Sequence, residues 1–282
     1  FVFTPKVAGT VSKLVRVQPG EPAFVYVVLA GLSGALIWDL LTWVWGLPTS
    51  SSHALVGGMA GAGLAYGGLP VLHWDKILQI VAFIPLAPLL GFGFGFALML
   101  GVYWLLRAWR PLMVDRLFRR CQFLSAAAYS LGHGGNDAQK TMGIIVALLV
   151  ASGHLSPEMH HDHLPWWIVL SCNAAMALGT AFGGWRIVRT MGMKITKLQP
   201  VGGFCAESAG AITLFGSTLC GIPVSTTHTI TGAIVGVGST RGFSAIRWGV
   251  ARRIVWAWVL TIPAAAMVAA LLFTLLRAFV QL

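Results

Sequence analysis

Two short stretches carry most of the polar chemistry of an otherwise apolar chain: GLPTSSSHALVGGMAGAG at residues 46–63 and GIPVSTTHTITGAIVGVG at residues 221–238. Each sets a glycine and a proline ahead of three hydroxyl residues and a histidine. In the first these are Ser50, Ser51, Ser52 and His53; in the second, Ser225, Thr226, Thr227 and His228. Proline is favoured at the first position of a helix, where backbone N–H groups lack intrahelical partners and the dipole adds about half a positive charge. Such an end attracts anions, and the hydroxyls add neutral donors to it. Two such ends meeting from opposite sides would surround a tetrahedral oxyanion without a buried cation to hold it too tightly. The alternative is that these hydroxyls only cap their helices or bond to i−4 carbonyls. His53 and His228 follow Ser50 and Ser225 by three residues, on the same helix face. That placement suits orienting a hydroxyl or packing better than binding a metal.

A second constellation is YSLGHGGNDAQKTMGII, residues 129–145, inside a long apolar run. Gly132, Gly134 and Gly135 predict an interruption of the helix, with Asn136 or Asp137 capping its second half. Asp137 and Lys140 each cost on the order of 3 kcal/mol at mid-bilayer, which makes them functional candidates; a purely structural Asp137–Lys140 pair is the alternative. His133 is a candidate for a supporting role. Asp137 beside a bound anion would repel it unless a proton or a cation sat between them, and that requirement links two fluxes. Glu207, in GFCAESAG, is a second buried acid with either the same role or a carboxyl satisfied locally. The loop at residues 154–164 collects His160, His161, Asp162 and His163, which could bind a divalent metal weakly but fit a solvated loop better.

These groups need a scaffold, and composition identifies it. The 282 residues are 57% hydrophobic and 10% charged, against about 25% charged in soluble domains, so the chain is a membrane protein. Runs near residues 24–46, 77–106, 122–151, 166–185 and 255–276 reach the roughly 20 residues that span a bilayer as helix. Shorter glycine-rich runs at 51–67, 202–219 and 227–238 suit half-helices or tilted packed helices better than ordinary spans. The net charge of +11 falls in short loops beside helix ends, a topology signal rather than a nucleic-acid surface. Cys121, Cys172, Cys205 and Cys220 show no paired spacing and read as small core residues.

The basic connections at 107–120, 186–197 and 241–253 are expected on the cytoplasmic side, and the loop at 152–164, which has no Lys or Arg, outside. The pair 202–219 and 227–238 then enters and returns from the cytoplasm, whereas 24–46 and 51–67 enter and return from outside. The prediction is an all-α polytopic membrane protein with an inverted-topology repeat, re-entrant helical hairpins and a broken transmembrane helix. Its parts are an N-terminal repeat at 1–106, a connector at 107–120 and a C-terminal repeat at 121–282. Aligning Gly46 with Gly221 also matches Pro48 with Pro223, Ser50 with Ser225, His53 with His228, Gly57 with Gly232 and Gly61 with Gly236. Lys6, Lys13 and Arg16 fit this topology least well.

The combination of GHGGNDAQKTMG, GIPVSTTH and GLPTSSSH resembles the inorganic phosphate transporter (PiT) family, bacterial branch, over nearly the whole chain. The resemblance implies a phosphate symporter of the cytoplasmic (inner) membrane, a homodimer in the lipid bilayer, with an Asn-Asp motif and a Pro-hydroxyl-His hairpin in each repeat. Carried over, Asn136 and Asp137 match the Asn-Asp motif, and Ser50–Ser52 and Ser225–Thr227 the hairpins; Asp137 and Glu207 are the expected coupling residues. The first Asn-Asp motif is not in the chain. VAGT at 7–10 resembles ALGT at 177–180, an offset of 170, which would place the counterpart of Asp137 before residue 1. The chain is therefore expected to lack an N-terminal broken helix. The coupling ion is H⁺ or Na⁺, with the bacterial resemblance favouring H⁺, and no other cofactor is expected. The rivals are a sulfate permease of the same fold, a metal-phosphate carrier, an anion channel, and an intramembrane hydrolase built on Ser225, His228 and Asp137.

Overall fold

A computed structural model of the chain describes residues 6–16, 23–156 and 164–280. Ten α-helices are present among them. The first five are α1 (Lys6–Val11), α2 (Ala23–Trp45), α3 (Ser51–Gly67), α4 (Trp74–Leu105) and α5 (Pro111–Ala151). Then come α6 (Trp166–Phe182), α7 (Trp185–Arg189), α8 (Pro200–Leu219), α9 (Thr226–Ser239) and α10 (Trp248–Val280). Large apolar side chains point outward, with Trp104, Leu105, Phe182 and Phe279 at 75–85% exposure, while the buried set is rich in Gly, Ala, Ser, Thr and His. That inversion of the soluble pattern is what a hydrocarbon surround requires, because lipid solvates Leu and Phe but not a hydroxyl.

The two helical hairpins, α2–α3 and α8–α9, are clamped by helices of the opposite repeat: α3 packs on α10, and α9 on α4. The repeated glycines explain how. A methyl group at Gly57 or Gly61 would overlap the carbonyl oxygens of Ile262 or Ala266 on α10; one at Gly232 or Gly236 would overlap those of Pro88 or Phe92 on α4. The glycine spacing is therefore a close-approach surface used twice. Pro88 and Pro263, 175 residues apart, lie inside the two clamping helices. One core gathers α2, α3, Leu72, Ile80 and Phe273; the other gathers α8, α9, Met99, Ile254 and Trp258. Met99 lies near the end of α4 and Ile254 near the start of α10, so the hairpins open at opposite ends of the molecule. Replacing Gly232 with Val should cost about 3 kcal/mol or more, because only backbone faces the added atoms. A thermal-stability assay in detergent measures this, and an unchanged midpoint would refute the close packing.

Several sequence expectations need correction. Helix α5 runs unbroken through Gly132, Gly134 and Gly135, so neither Asn136 nor Asp137 is a cap. The break falls instead in the expected 166–185 span: α6 and the segment Trp185–Lys194 meet at 62°, with Gly183 at φ 67°. Most of the basic stretch 107–120 is helical, since α5 begins at Pro111. Arg107 and Gln199 line one shallow surface cavity, and Arg241 donates to Gln199 Oε1 at 2.9 Å, so the connections after α4, before α8 and after α9 share one end. Of the cysteines, Cys172 and Cys205 are core residues, but Cys220 is exposed and Cys121 partly so.

Arg186 does not sit in a free connection. Its Nη1 donates to Val44 O (2.7 Å) at the C-terminus of α2, while Lys6 Nζ donates to Leu219 O (3.2 Å) at the C-terminus of α8. Thr190 Oγ1 donates to Gly46 O (3.2 Å) and Thr10 Oγ1 to Gly221 O (2.9 Å). Both offsets are 180 (186 − 6 and 190 − 10), so the repeat pairs Thr10 with Thr190 rather than with Thr180. A cation four residues before a threonine thus caps each hairpin turn from the other repeat, where the orphan carbonyls and negative dipole end favour it. The awkward charge on Lys6 has this physical reason.

Candidate functional site

The turns that carry the hydroxyls begin at Gly46 (φ 66°) and Gly221 (φ 70°), a conformation that favours glycine at both equivalent positions. Pro48 and Pro223 lie outside the helices, not at their first position as the sequence suggested. Ser50 and Ser225 are the N-caps: each hydroxyl accepts from the backbone N–H of the histidine three residues on, at 3.2 Å. These two hydroxyls close their own helices, which corrects the expectation that all six face an anion.

The remaining four divide by position. Lys140 Nζ donates to Ser52 Oγ, to Asp137 Oδ1 (2.6 Å) and to Val224 O (2.6 Å). Thr226 Oγ1 donates to Asp137 Oδ2 (3.3 Å), and His133 Nε2 lies 3.1 Å from the same oxygen. Thr227 Oγ1 donates to Thr49 O (3.1 Å), joining the two hairpin turns directly. Ser51 is exposed and lines two cavities. One, about 230 Å³, is bounded by Asp39, Ser51, Ser52, Asp137, Lys140 and Thr141. The other, about 640 Å³, includes Asp39, Thr42, Thr49, Ser51, His133 and Thr180.

The histidines meet one another rather than a hydroxyl. Their rings lie edge to face with centroids 4.6 Å apart, and His228 stacks on Trp258 at 3.8 Å. Pro88 has no N–H, so it frees the carbonyl of Ile84 within α4. His228 Nδ1 lies 3.3 Å from that oxygen and takes it up. Trp258 Nε1 donates to Pro48 O (3.1 Å), fastening the first turn to α10. The histidines therefore hold the two repeats together at the level of the site.

Asn136 is fully buried, and its amide donates to Thr218 Oγ1 (3.0 Å) and Ile222 O (3.4 Å), so it anchors α5 to the second hairpin. Glu207 accepts from Ser125 Oγ at the α5–α8 interface. It precedes Thr218 by 11 residues, about 16 Å along the helix, and stands apart from Asp137. His160, His161, Asp162 and His163 lie outside the described residues. Ser225, His228 and Asp137 do not form a nucleophile–base–acid chain: the Ser225 hydroxyl accepts from a backbone N–H, His228 Nδ1 lies against Ile84 O, and Asp137 is taken by Lys140, His133 and Thr226.

Sequence reasoning missed Asp39. It belongs to both cavities and makes no ion pair among the described residues. The signal was present, since a lone acid in the 24–46 run meets the criterion applied to Asp137. Gln139 was also missed; its Oε1 accepts from Val7 N–H (3.0 Å) and seats α1 against α5.

A protein 57% identical over 247 residues, covering 88% of this chain and 73% of its own length, is the probable low-affinity inorganic phosphate transporter of Rhizobium meliloti (strain 1021). The protein of the same description from Bacillus subtilis (strain 168) is 41% identical, covering 89% of this chain and 74% of its own length. A solved structure described as the sodium-dependent phosphate transporter superposes with a TM-score of 0.83 at 27% identity, covering 98% of this chain and 86% of that one. The profile of the phosphate transporter family matches residues 1–269, and the chain belongs to that family.

Proposed function

We propose that the protein imports inorganic phosphate across the bacterial cytoplasmic membrane by cation-coupled alternating access between its two repeats. Phosphate as the substrate follows from the family and from the names of its relatives. One observation carries the rest: the N-termini of α3 and α9, brought from opposite ends of the molecule, converge on the Asp137–Lys140 pair of the single helix α5. Two positive helix ends, with the exposed Ser51 hydroxyl at one of them, favour an oxyanion, and Lys140 neutralises the carboxylate that would otherwise repel it. Ser51 and the 230 Å³ cavity give phosphate its place.

Asp39 carries the coupling step in this reading. It stands where the two cavities meet, facing Asp137 and Lys140 across one and His133 across the other. An intramembrane carboxylate without an ion pair is costly when charged, and a coupling cation offsets that cost.

The test is phosphate uptake by proteoliposomes under an imposed pH gradient or an imposed sodium gradient, each alone. Uptake accelerated by one gradient and competed poorly by sulfate is the expected result. Uptake indifferent to both would refute coupling and leave a channel.

A further inference from the structure

An ammonium group has three N–H donors and no acceptor. Lys140 Nζ spends all three, on Asp137 Oδ1, Ser52 Oγ and Val224 O, and the residue is 3% exposed. No donor is left to hold an anion. Lys140 is therefore not a phosphate ligand in this arrangement, although a buried lysine beside helix N-termini suggests one. Its surroundings have a different meaning: a carboxylate, a hydroxyl and a main-chain carbonyl form an all-oxygen set, the type that hard metal cations take.

The three oxygens come from three places. Asp137 belongs to α5, Ser52 to the start of α3 in one repeat, and Val224 to the turn before α9 in the other. Whatever cation sits among them ties both hairpins to α5 and removes the carboxylate's repulsion for the anion. Asp39 on α2 and His133 on α5 are the other ionisable groups bordering these cavities.

We propose that Lys140 is the built-in occupant of a cation seat, filling with its own ammonium the place a sodium ion would take in a chain lacking this lysine, and so excludes sodium from it. The proposal rests on the cation-coupled reading above and narrows it: with this oxygen cage filled, coupling falls to the Asp39 carboxylate, and its ion is the proton. It also makes a chemical demand on the variant. Shortening Lys140 empties a pre-built oxygen site that retains an uncompensated carboxylate, and a small monovalent cation should enter it.

The experiment compares wild type with Lys140→Ala and Lys140→Ser in proteoliposomes and in thermal-unfolding assays, using sodium chloride against choline chloride. Wild-type uptake should follow the pH gradient and ignore sodium. In the variants, sodium should raise phosphate uptake about tenfold, within the usual range of coupling between sites, and raise the melting temperature where choline does not. Variants that transport but stay indifferent to sodium overturn the proposal. Wild-type uptake driven by a sodium gradient also overturns it while leaving phosphate symport intact. Wild-type uptake driven by neither gradient is instead a failure of the symport reading, and the sodium-dependent melting shift still decides whether the seat exists. Should the variants fold poorly, recovery in sodium but not in choline supports the seat, and failure in both refutes it.

Discussion

Asp137→Asn will cost the protein about 3–5 kcal/mol and abolish phosphate uptake, because it strands the Lys140 ammonium in a site with no other carboxylate in contact among the described residues. The double variant Asp137→Asn/Lys140→Gln should regain most of the stability. A buried pair replaced as a pair loses attraction and desolvation cost together, whereas a pair broken on one side keeps the cost. The thermodynamic cycle should therefore show a coupling of about 2 kcal/mol, well beyond additivity. Uptake should not return in the double variant, because the pair also joins the two hairpins to α5. Unfolding in detergent and uptake in liposomes measure the two halves of this expectation. A single variant as stable as the wild type would show that Ser52 and Val224, the other partners of the ammonium, hold it without the carboxylate.

The sequence patterns differed in how much they could reveal. Residues 51–67 were legible as a helix to the residue, because a hydroxyl cap at one end and Gly68 at the other bound an unbroken run of small residues. The duplicated glycines were legible as a repeat, but not as a contact surface, since only a neighbouring backbone tells a close approach from a flexible turn. That ambiguity produced the error at Gly132. It was expected to interrupt a helix, yet a methyl group there would sit 3.1 Å from Leu214 Cβ, so the glycine belongs to the packing of α5 on α8. Within a membrane, keeping the helical hydrogen bonds outweighs the low helix propensity of glycine. The hydroxyl motifs were legible as helix N-termini, and their caps are local contacts, but the cation cage and the turn clasp depend on contacts 88 to 178 residues away in sequence. The equivalence of Lys6 and Arg186 was hidden for the same reason. It lies in which carbonyls they reach, Leu219 and Val44, and not in similar flanking residues.

Asp39→Asn should leave the fold at least as stable as before and cut gradient-driven phosphate uptake by at least about tenfold, the scale of a lost coupling between two sites. Both halves follow from its position. Asp39 contributes no ion pair among the described residues, so replacing its carboxyl with an amide removes a charge that nothing compensates, and stability should not fall. The same carboxylate is the ionisable group that borders both the cavity with Asp137 and Lys140 and the larger one with His133 and Thr49. With Lys140 neutralising Asp137, the group free to take up and release a coupling cation is Asp39. Two further readouts separate this role from a structural one. Exchange of phosphate across the liposome membrane at equal concentrations needs no net cation movement and should survive in Asp39→Asn. Asp39→Glu, which keeps the ionisable group, should restore part of the driven uptake. Wild-type driven uptake in Asp39→Asn would remove Asp39 from the coupling path; loss of both exchange and driven uptake would reassign it to the phosphate site, whose 230 Å³ cavity it also lines.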